Sequence, residues 1–230
     1  MREIVLDTET TGFEPTEGHR IVEIGAIELE NHLPTGRVYH QYLDPQRPMP
    51  PEALEVHGLG DEFLRGKPVF RDVAQAFLDF IGEAKMVIHN ASFDMKFLNA
   101  ELRAAGKTAL PDARAVDTLL IARQKYPGAP ASLDALCRRF GVDNSNRIKH
   151  GALLDCELLA EVYLELIGGR QPGLLLSEGP HQANTDKTLQ TSGPTVRPAP
   201  LSSLLTEKEA EAHRAMIAKM GPSAVWAKRM

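Results

Sequence analysis

Ile4-Val5-Leu6-Asp7-Thr8-Glu9-Thr10-Thr11-Gly12 runs from an apolar tripeptide into two carboxylates one residue apart, and closes on a glycine. The apolar run reads as a buried strand. Alternate residues of a strand share a face, so Asp7 and Glu9 point the same way. Two carboxylates side by side repel each other and lose hydration unless a cation lies between them. Clusters of oxygen ligands suit hard divalent ions such as Mg²⁺ and Mn²⁺. A solvated strand end would carry the same Asp-x-Glu, so the rest of the chain has to decide between the two readings.

Working outward, strands are expected near 2–8, 20–29, 37–43, 86–89 and 115–117, and helices near 69–82, 92–105, 117–125, 132–140 and 151–167. The three early strands, separated by turn-like segments, predict an antiparallel meander. The later strand–helix alternation predicts added parallel strands, giving a mixed α/β fold. Gly168-Gly169 reads as a helix stop.

A change of composition follows. Residues 177–203 are rich in Ser, Thr, Gln, Gly and Pro and poor in large apolar groups, a composition that cannot bury enough surface to offset ordering. The reading is a globular domain over residues 1–170 and a flexible linker over 177–205, whose reach as a random coil is roughly 30 Å. Residues 206–230 regain helical pattern, with Thr206 as N-cap and Glu209 three residues later. Their apolar groups Met216, Ile217, Met220, Val225 and Trp226 sit on a piece too small to fold alone.

With 230 residues, 43% hydrophobic and 25% charged, the composition is that of a globular protein with one sizeable core. A charged first segment without an apolar signal region, and no run long enough to span a bilayer, point to a cytoplasmic protein with no membrane partner. Cys137 and Cys156 lack metal-ligand spacing and read as reduced core thiols. The net charge of −5 excludes coating nucleic acid by bulk electrostatics. Local binding of a polyanion remains open where divalent ions neutralise an acidic centre.

Three further features belong with Asp7 and Glu9. In His89-Asn90-Ala91-Ser92-Phe93-Asp94 a strand gives way to a helix that Asn90 or Ser92 can cap. Asp94 shares its face with Phe97, Leu98 and Leu102. A carboxylate on an apolar stripe calls for a metal or a buried base as partner, although Asp94 would also complement the helix dipole. In His150-Gly151-Ala152-Leu153-Leu154-Asp155, Asp155 heads the apolar face carried on by Leu158, Leu159, Val162, Tyr163 and Leu166. His150, on the loop just before, is a candidate general base. Glu52 opens a short helical segment after Pro48, Pro50 and Pro51, and His57-Gly58 closes it. By itself that segment is a helix stop with a structural histidine.

Asp7-x-Glu9, Asp94 and His150-x4-Asp155 match the three exonuclease motifs of the DEDD superfamily in its histidine subclass. The stretch Ser132-Leu133-Asp134-Ala135-Leu136-Cys137 strengthens the match. Within that superfamily the first 170 residues or so most resemble the proofreading epsilon subunits of bacterial DNA polymerase III. The resemblance implies a ribonuclease H-like fold, with a mixed five-stranded sheet flanked by helices. It implies hydrolysis at DNA 3′ ends, releasing nucleoside monophosphates, with two divalent cations (Mg²⁺ or Mn²⁺) held by Asp7, Glu9, Asp94 and Asp155. His150 would take the proton of the attacking water. Glu9, Thr10, Thr11, Glu52, His57 and Asp155 would bind the terminal nucleotide.

For the tail, the resemblance implies a short sliding-clamp-binding peptide over 171–176, carried by Gln171, Leu174 and Leu176. It departs from the stronger form of such peptides by ending in Leu176 instead of an aromatic. Residues 206–230 would bind the polymerase alpha subunit, and a small theta-like subunit is a further expected partner. A stand-alone exonuclease acting on RNA or short oligonucleotides is the rival enzyme reading, since the catalytic groups do not sense the sugar. A catalytically silent adaptor bridging clamp and polymerase is the rival of another class, and the presence of all five catalytic side chains argues against it.

Overall fold

The computed structural model describes residues 1–169 and 206–221. The chain divides into two units, Met1–Ser177 and Glu178–Met230. Gln171, Leu174 and Leu176 of the expected clamp peptide, the expected linker, and Val225 and Trp226 lie outside the described residues.

The first unit is built on one sheet. Strands β1 (Arg2–Thr10), β2 (Ile21–Glu30), β3 (Leu33–Tyr42), β4 (Lys85–Ile88) and β5 (Ala115–Asp117) lie in the order β3-β2-β1-β4-β5. β1 pairs antiparallel with β2 and β2 with β3, while β1–β4 and β4–β5 are parallel. The expected meander with added parallel strands is therefore what forms.

β1 is central and is buried on both faces because its apolar residues serve two cores. Ile4 and Leu6 join Ile24, Ala26, Met86 and Ile88 against helices α3 (Phe70–Ile81) and α4 (Ala91–Ala104). Val5 joins Ile27, Leu29 and Val87 on the other face, against α5 (Thr118–Lys125), α6 (Leu133–Phe140) and α7 (Ala152–Leu166). An unbroken apolar run is what a strand covered on both sides requires. The short helices α1 (Pro51–His57) and α2 (Asp61–Leu64) follow β3. α2 was not expected from the sequence, because a single four-residue turn carries too little periodicity to stand out.

Two local features position the site. The first is Gly25 on β2, the ladder partner of Asp7. A Cβ at Gly25 would lie 2.4 Å from the backbone of Ala152, so only glycine lets α7 sit this close to the sheet beside Asp7. Cys156 Sγ donates to the Gly25 carbonyl (3.2 Å), and Glu23 Oε2 accepts from the Ala152 N–H at the start of α7 (3.2 Å).

The second is Asp117, the last residue of β5. Its carboxylate accepts from the backbone N–H groups of Leu119 and Leu120 (2.9 and 3.3 Å), capping α5. It also accepts from Asn90 and Ala91 (3.3 and 3.1 Å), serving the start of α4. The expectation that Asn90 or Ser92 caps α4 with its own side chain is corrected. Asn90 occupies the N-cap place in a left-handed conformation (φ 66°) and makes no side-chain cap bond. Its donors are met from the neighbouring strand instead.

Cys137 and Cys156 are free and buried. Among the described residues, no helix is long and apolar enough to cross a membrane. In the second unit, α8 (Glu207–Met220) begins with the expected capping box. Thr206 Oγ1 accepts from the Glu209 N–H, and the Glu209 carboxylate accepts from the Thr206 N–H.

Candidate functional site

Asp7 and Glu9 lie on the face of β1 turned toward α7, the face on which Glu3 meets Tyr163 Oη (2.8 Å). Thr8, between them, points to the α4 side. There its N–H and Oγ1 both donate to Asp94 Oδ1 (3.0 and 2.7 Å). α4 and α7 thus bring Asp94 and Asp155 to the C-terminal end of β1 from opposite faces of the sheet. Asp7, Glu9, Asp94, Asp155 and His150 line one cleft of about 730 Å³, together with His89, Phe93, Asp134 and Arg147.

Asp94 and Asp155 are 3% exposed and Glu9 8%, while Asp7 is half-buried. Burial raises the Asp7 carboxyl well above its ordinary range, and the charges of Asp94, Glu9 and Asp155 push the same way. Burial also lifts Glu9, to about 8, with Asp155 and Glu23 adding to it. It lifts Asp94 to about 7 against the opposing pull of the Thr8 hydrogen bonds. Negative charge is therefore concentrated here beyond what the surrounding protein neutralises, which is the condition that favours binding a cation.

The donor set fits a divalent metal. Ligand atoms of Glu9, His150 and Asp155 lie within 4.8 Å of one another, and carboxylate with imidazole suits Mg²⁺, Mn²⁺ or a softer divalent ion. The resemblance implied Asp7, Glu9, Asp94 and Asp155 as the metal-holding set, without His150. The geometry puts His150 in this tightest set and places Asp7 and Asp94 along the same cleft.

His150 sits on the loop before α7, anchored by its N–H to the Val56 carbonyl (3.1 Å). Its Nδ1 is 3.7 Å from Asp155 Oδ2. Burial first, and then the neighbouring Arg147 charge, lowers its pKa, so the ring is neutral and able to accept a proton near neutral pH.

A second cavity of about 400 Å³ adjoins the first and shares Thr8, Glu9 and Phe93 with it. It gathers four of the remaining nucleotide-binding candidates, Thr10, Thr11, Glu52 and His57, against apolar walls from Phe13, Pro50, Ala53 and Val56. His57 ends α1, with Gly58 in the left-handed conformation behind it, as expected. His57 Nδ1 accepts from the Leu59 N–H (3.0 Å), which leaves Nε2 protonated, buried and without a hydrogen-bond partner among the described residues. Glu52 is exposed at the rim. The threonine hydroxyls are committed to the turn itself. Thr10 Oγ1 donates to the Gly12 carbonyl (2.6 Å), and Thr11 Oγ1 accepts from the Arg20 N–H (3.0 Å).

Sequence reasoning missed Arg147, Thr8 and Asp134. Arg147 grips both oxygens of Asp155, with Nε to Oδ1 at 2.6 Å and Nη2 to Oδ2 at 2.7 Å. It also reaches Asp134 on α6 (3.0 Å). Its spacing of three residues before His150 was the available signal, in a polar loop where an arginine ordinarily passes for a solvated charge.

The sequence model described as "Exonuclease" matches residues 4–163. The chain is 48% identical over 223 residues to a DNA polymerase III subunit epsilon of Rickettsia felis, covering 96% of this chain and 97% of that protein. It is 44% identical over 239 residues to the subunit of the same name from Escherichia coli, with 98% and 97% covered. Among solved structures, the nuclease domain of 3′hExo, a DEDDh family member bound to rAMP, superposes with a TM-score of 0.63 at 19% identity, covering 72% of this chain and 91% of that one. Exonuclease X in complex with 5′ overhanging duplex DNA superposes with a TM-score of 0.56 at 24% identity, covering 71% and 90%. The sheet order and flanking helices are those of the ribonuclease H-like exonuclease fold. A family match across the whole carboxylate-bearing domain, joined to relatives near half identical over almost their full length, establishes that the chain belongs to the exonuclease family and, within it, to the DNA polymerase III epsilon subunits.

Proposed function

We propose that the chain is a proofreading 3′–5′ exonuclease of a replicative DNA polymerase, removing mispaired 3′-terminal nucleotides as nucleoside monophosphates. The observation that supports this best is the convergence of Asp7, Glu9, Asp94, Asp155 and His150 on one cleft, with a nucleotide-sized cavity beside it. Asp7, Glu9, Asp94 and Asp155 would hold two divalent ions, Mg²⁺ or Mn²⁺. Such ions supply charge neutralisation at a scissile phosphate.

The residues of the chain do the rest. The neutral His150 accepts the proton of the attacking water at its unprotonated ring nitrogen, Nδ1, once the Arg147 contact to it is released. Phe13 and Val56 offer apolar surface to a terminal base. His57 Nε2–H and the Glu52 carboxylate offer polar partners to its sugar, together with Glu9 and backbone groups near Thr10 and Thr11. Asp155 contributes from the metal side. Selectivity for a mismatch follows from the lower cost of fraying a mispaired end into the cleft, so that no base-specific reading is needed.

The relatives are named subunits of DNA polymerase III. For this chain we infer the same cytoplasmic assembly. Residues 206–230 would dock on the alpha subunit as a helix in a groove, residues 171–176 would contact the sliding clamp through Gln171, Leu174 and Leu176, and a theta-like subunit would cover part of the domain.

The test is a gel assay on a 5′-labelled primer–template with a paired or a mismatched 3′ end, beside an RNA of the same sequence. Wild type and Asp7→Ala are compared with and without Mg²⁺. Metal-dependent trimming that is faster at the mismatch and absent in the variant is expected. Preference for the RNA would move the assignment to a stand-alone ribonuclease, and no trimming in any lane would move it to a silent adaptor.

A further inference from the structure

Arg147 is the one cation whose guanidinium lies inside the carboxylate cluster among the described residues, and it engages the groups that a metal would need. Its fork takes both oxygens of Asp155. Its Nη2 is also 3.0 Å from His150 Nδ1. Two of the three members of the tightest ligand set, Glu9, His150 and Asp155, are thus held by a guanidinium that is itself only 7% exposed. A divalent ion placed among those atoms would face a full positive charge at contact range in a poorly solvated cleft, and the two cations repel.

The remaining arm of Arg147 shows where it can go. Nη1 reaches Asp134 Oδ2 (3.0 Å). Asp134 belongs to α6, outside the ligand set, and its side chain is 41% exposed. It is steadied by Asn144 Nδ2 donating to Oδ1 (2.8 Å). The loop carrying Arg147 is lightly tied, with short-range bonds from Arg147 N–H to Asn144 and from Ile148 N–H to Asn146 (both 3.0 Å). Ile148 stands 91% exposed.

We propose that Arg147 is a resident counter-cation of the cluster, gripping Asp155 and His150 in the metal-free protein, and that by pivoting onto Asp134 it yields Asp155 to a divalent ion and frees the His150 ring nitrogen for its proton. The inference rests on reading the cleft as a divalent-metal site. It makes Arg147 a positioning residue that holds His150 and Asp155 in register before metal arrives and keeps the acidic cleft from repelling itself apart. It also makes metal loading an exchange of cations, with apparent metal affinity reduced by the fraction of molecules in which the guanidinium is seated.

Two measurements on the full chain test this. In the first, Mn²⁺ affinity is read by calorimetry for wild type, Arg147→Gln and Arg147→Lys. Removing the competing fork should tighten Mn²⁺ binding by about tenfold in Arg147→Gln, with Arg147→Lys in between. Equal or weaker binding in Arg147→Gln would overturn the exchange while leaving the metal site standing. Failure of the wild type to bind Mn²⁺ at all would overturn the exchange together with the metal reading.

The second measurement needs no variant. The Arg147 Nε–H resonance, assigned by through-bond correlation, is followed by ¹⁵N NMR as Mg²⁺ is added to the wild type. A protected signal in the metal-free protein that moves to the position of a solvated guanidinium at saturation supports the exchange. A signal that stays protected and unshifted at saturating Mg²⁺ refutes it.

Discussion

At the residue scale, Asp7 is the side chain on which most of the site's electrostatics converge. Its carboxyl is raised by burial and by three neighbouring carboxylates. Replacing it with asparagine keeps the shape and removes one of the repelling charges. Asp7→Asn should lower exonuclease activity by on the order of 10³-fold. The same change should raise the melting temperature of the metal-free protein at pH 8, because a desolvated, unpaired charge has gone. A fall in both quantities would show Asp7 to be structural.

The same logic gives a pH dependence. Glu9 and Asp94 titrate near 8 and 7 in the folded chain, against about 4 when unfolded. The folded state therefore holds more protons than the unfolded state across that interval, and their contribution to stability is lost as pH rises from about 4 to 8. The metal-free protein should melt at a lower temperature at pH 8 than at pH 5.5. Added Mn²⁺ should stabilise more at pH 8, where it displaces fewer protons. Scanning calorimetry at the two pH values, with and without metal, checks both signs.

At the scale of elements, the site depends on how closely α7 and α4 are seated on the sheet. Gly25→Ala would put a methyl group 2.4 Å from the backbone of Ala152. Relieving that contact moves α7 outward at about 1–3 kcal/mol of stability. Since Asp155 and His150 travel with that helix, activity should fall further than the lost folded fraction explains. Urea unfolding alongside single-turnover kinetics separates the two, and unchanged kinetics in the folded fraction would show that the close approach serves stability alone.

Asp117 acts on two helices at once, with its carboxylate accepting four backbone N–H groups from α4 and α5. Asp117→Ala should cost about 1–2 kcal/mol by the ordinary value of a lost cap, read from the urea midpoint. Retention of the wild-type midpoint would mean that water satisfies both helix starts.

At the scale of the whole molecule, the proposed division of labour places hydrolysis in the first unit and assembly in the tail. Deleting residues 177–230 should leave cleavage of free single strands nearly intact and abolish association with the polymerase alpha subunit, measured by gel filtration of the mixed proteins. Parallel loss of both properties would mean that the tail supports the catalytic unit directly. The charge distribution fits this division. Residues 1–170 carry 19 Lys and Arg against 26 Asp and Glu, whereas residues 171–230 carry 7 against 5. An acidic catalytic unit gains little from bulk attraction to DNA, so the proposed tethering to a primer-holding partner would raise its local concentration at the 3′ end.

The sheet, the apolar faces of the long helices and the candidate carboxylates were legible in the chain before any fold was known. Each of these is written in local periodicity: the run Ile4–Leu6 before an alternating pair of acids, the stripe behind Asp94, and the longer stripe behind Asp155. The Thr206–Glu209 capping box was legible for the same reason, being a contact between residues three apart. His150 lies on a loop without periodicity, and its place in the set came from the resemblance to the exonuclease motifs.

The features that no local pattern reveals involve partners far apart along the chain. Asp117 rather than Asn90 or Ser92 serves the start of α4, Thr8 ties down Asp94 across 86 residues, and Gly25 admits α7. Arg147, close to Asp155 in sequence, was hidden for a different reason. Its loop has no periodicity, and the value of a charge depends on how much water the fold leaves around it. In an open loop Arg147 is one more solvated cation. Packed beside four carboxylates in a narrow cleft, it becomes the group with which an incoming metal must compete.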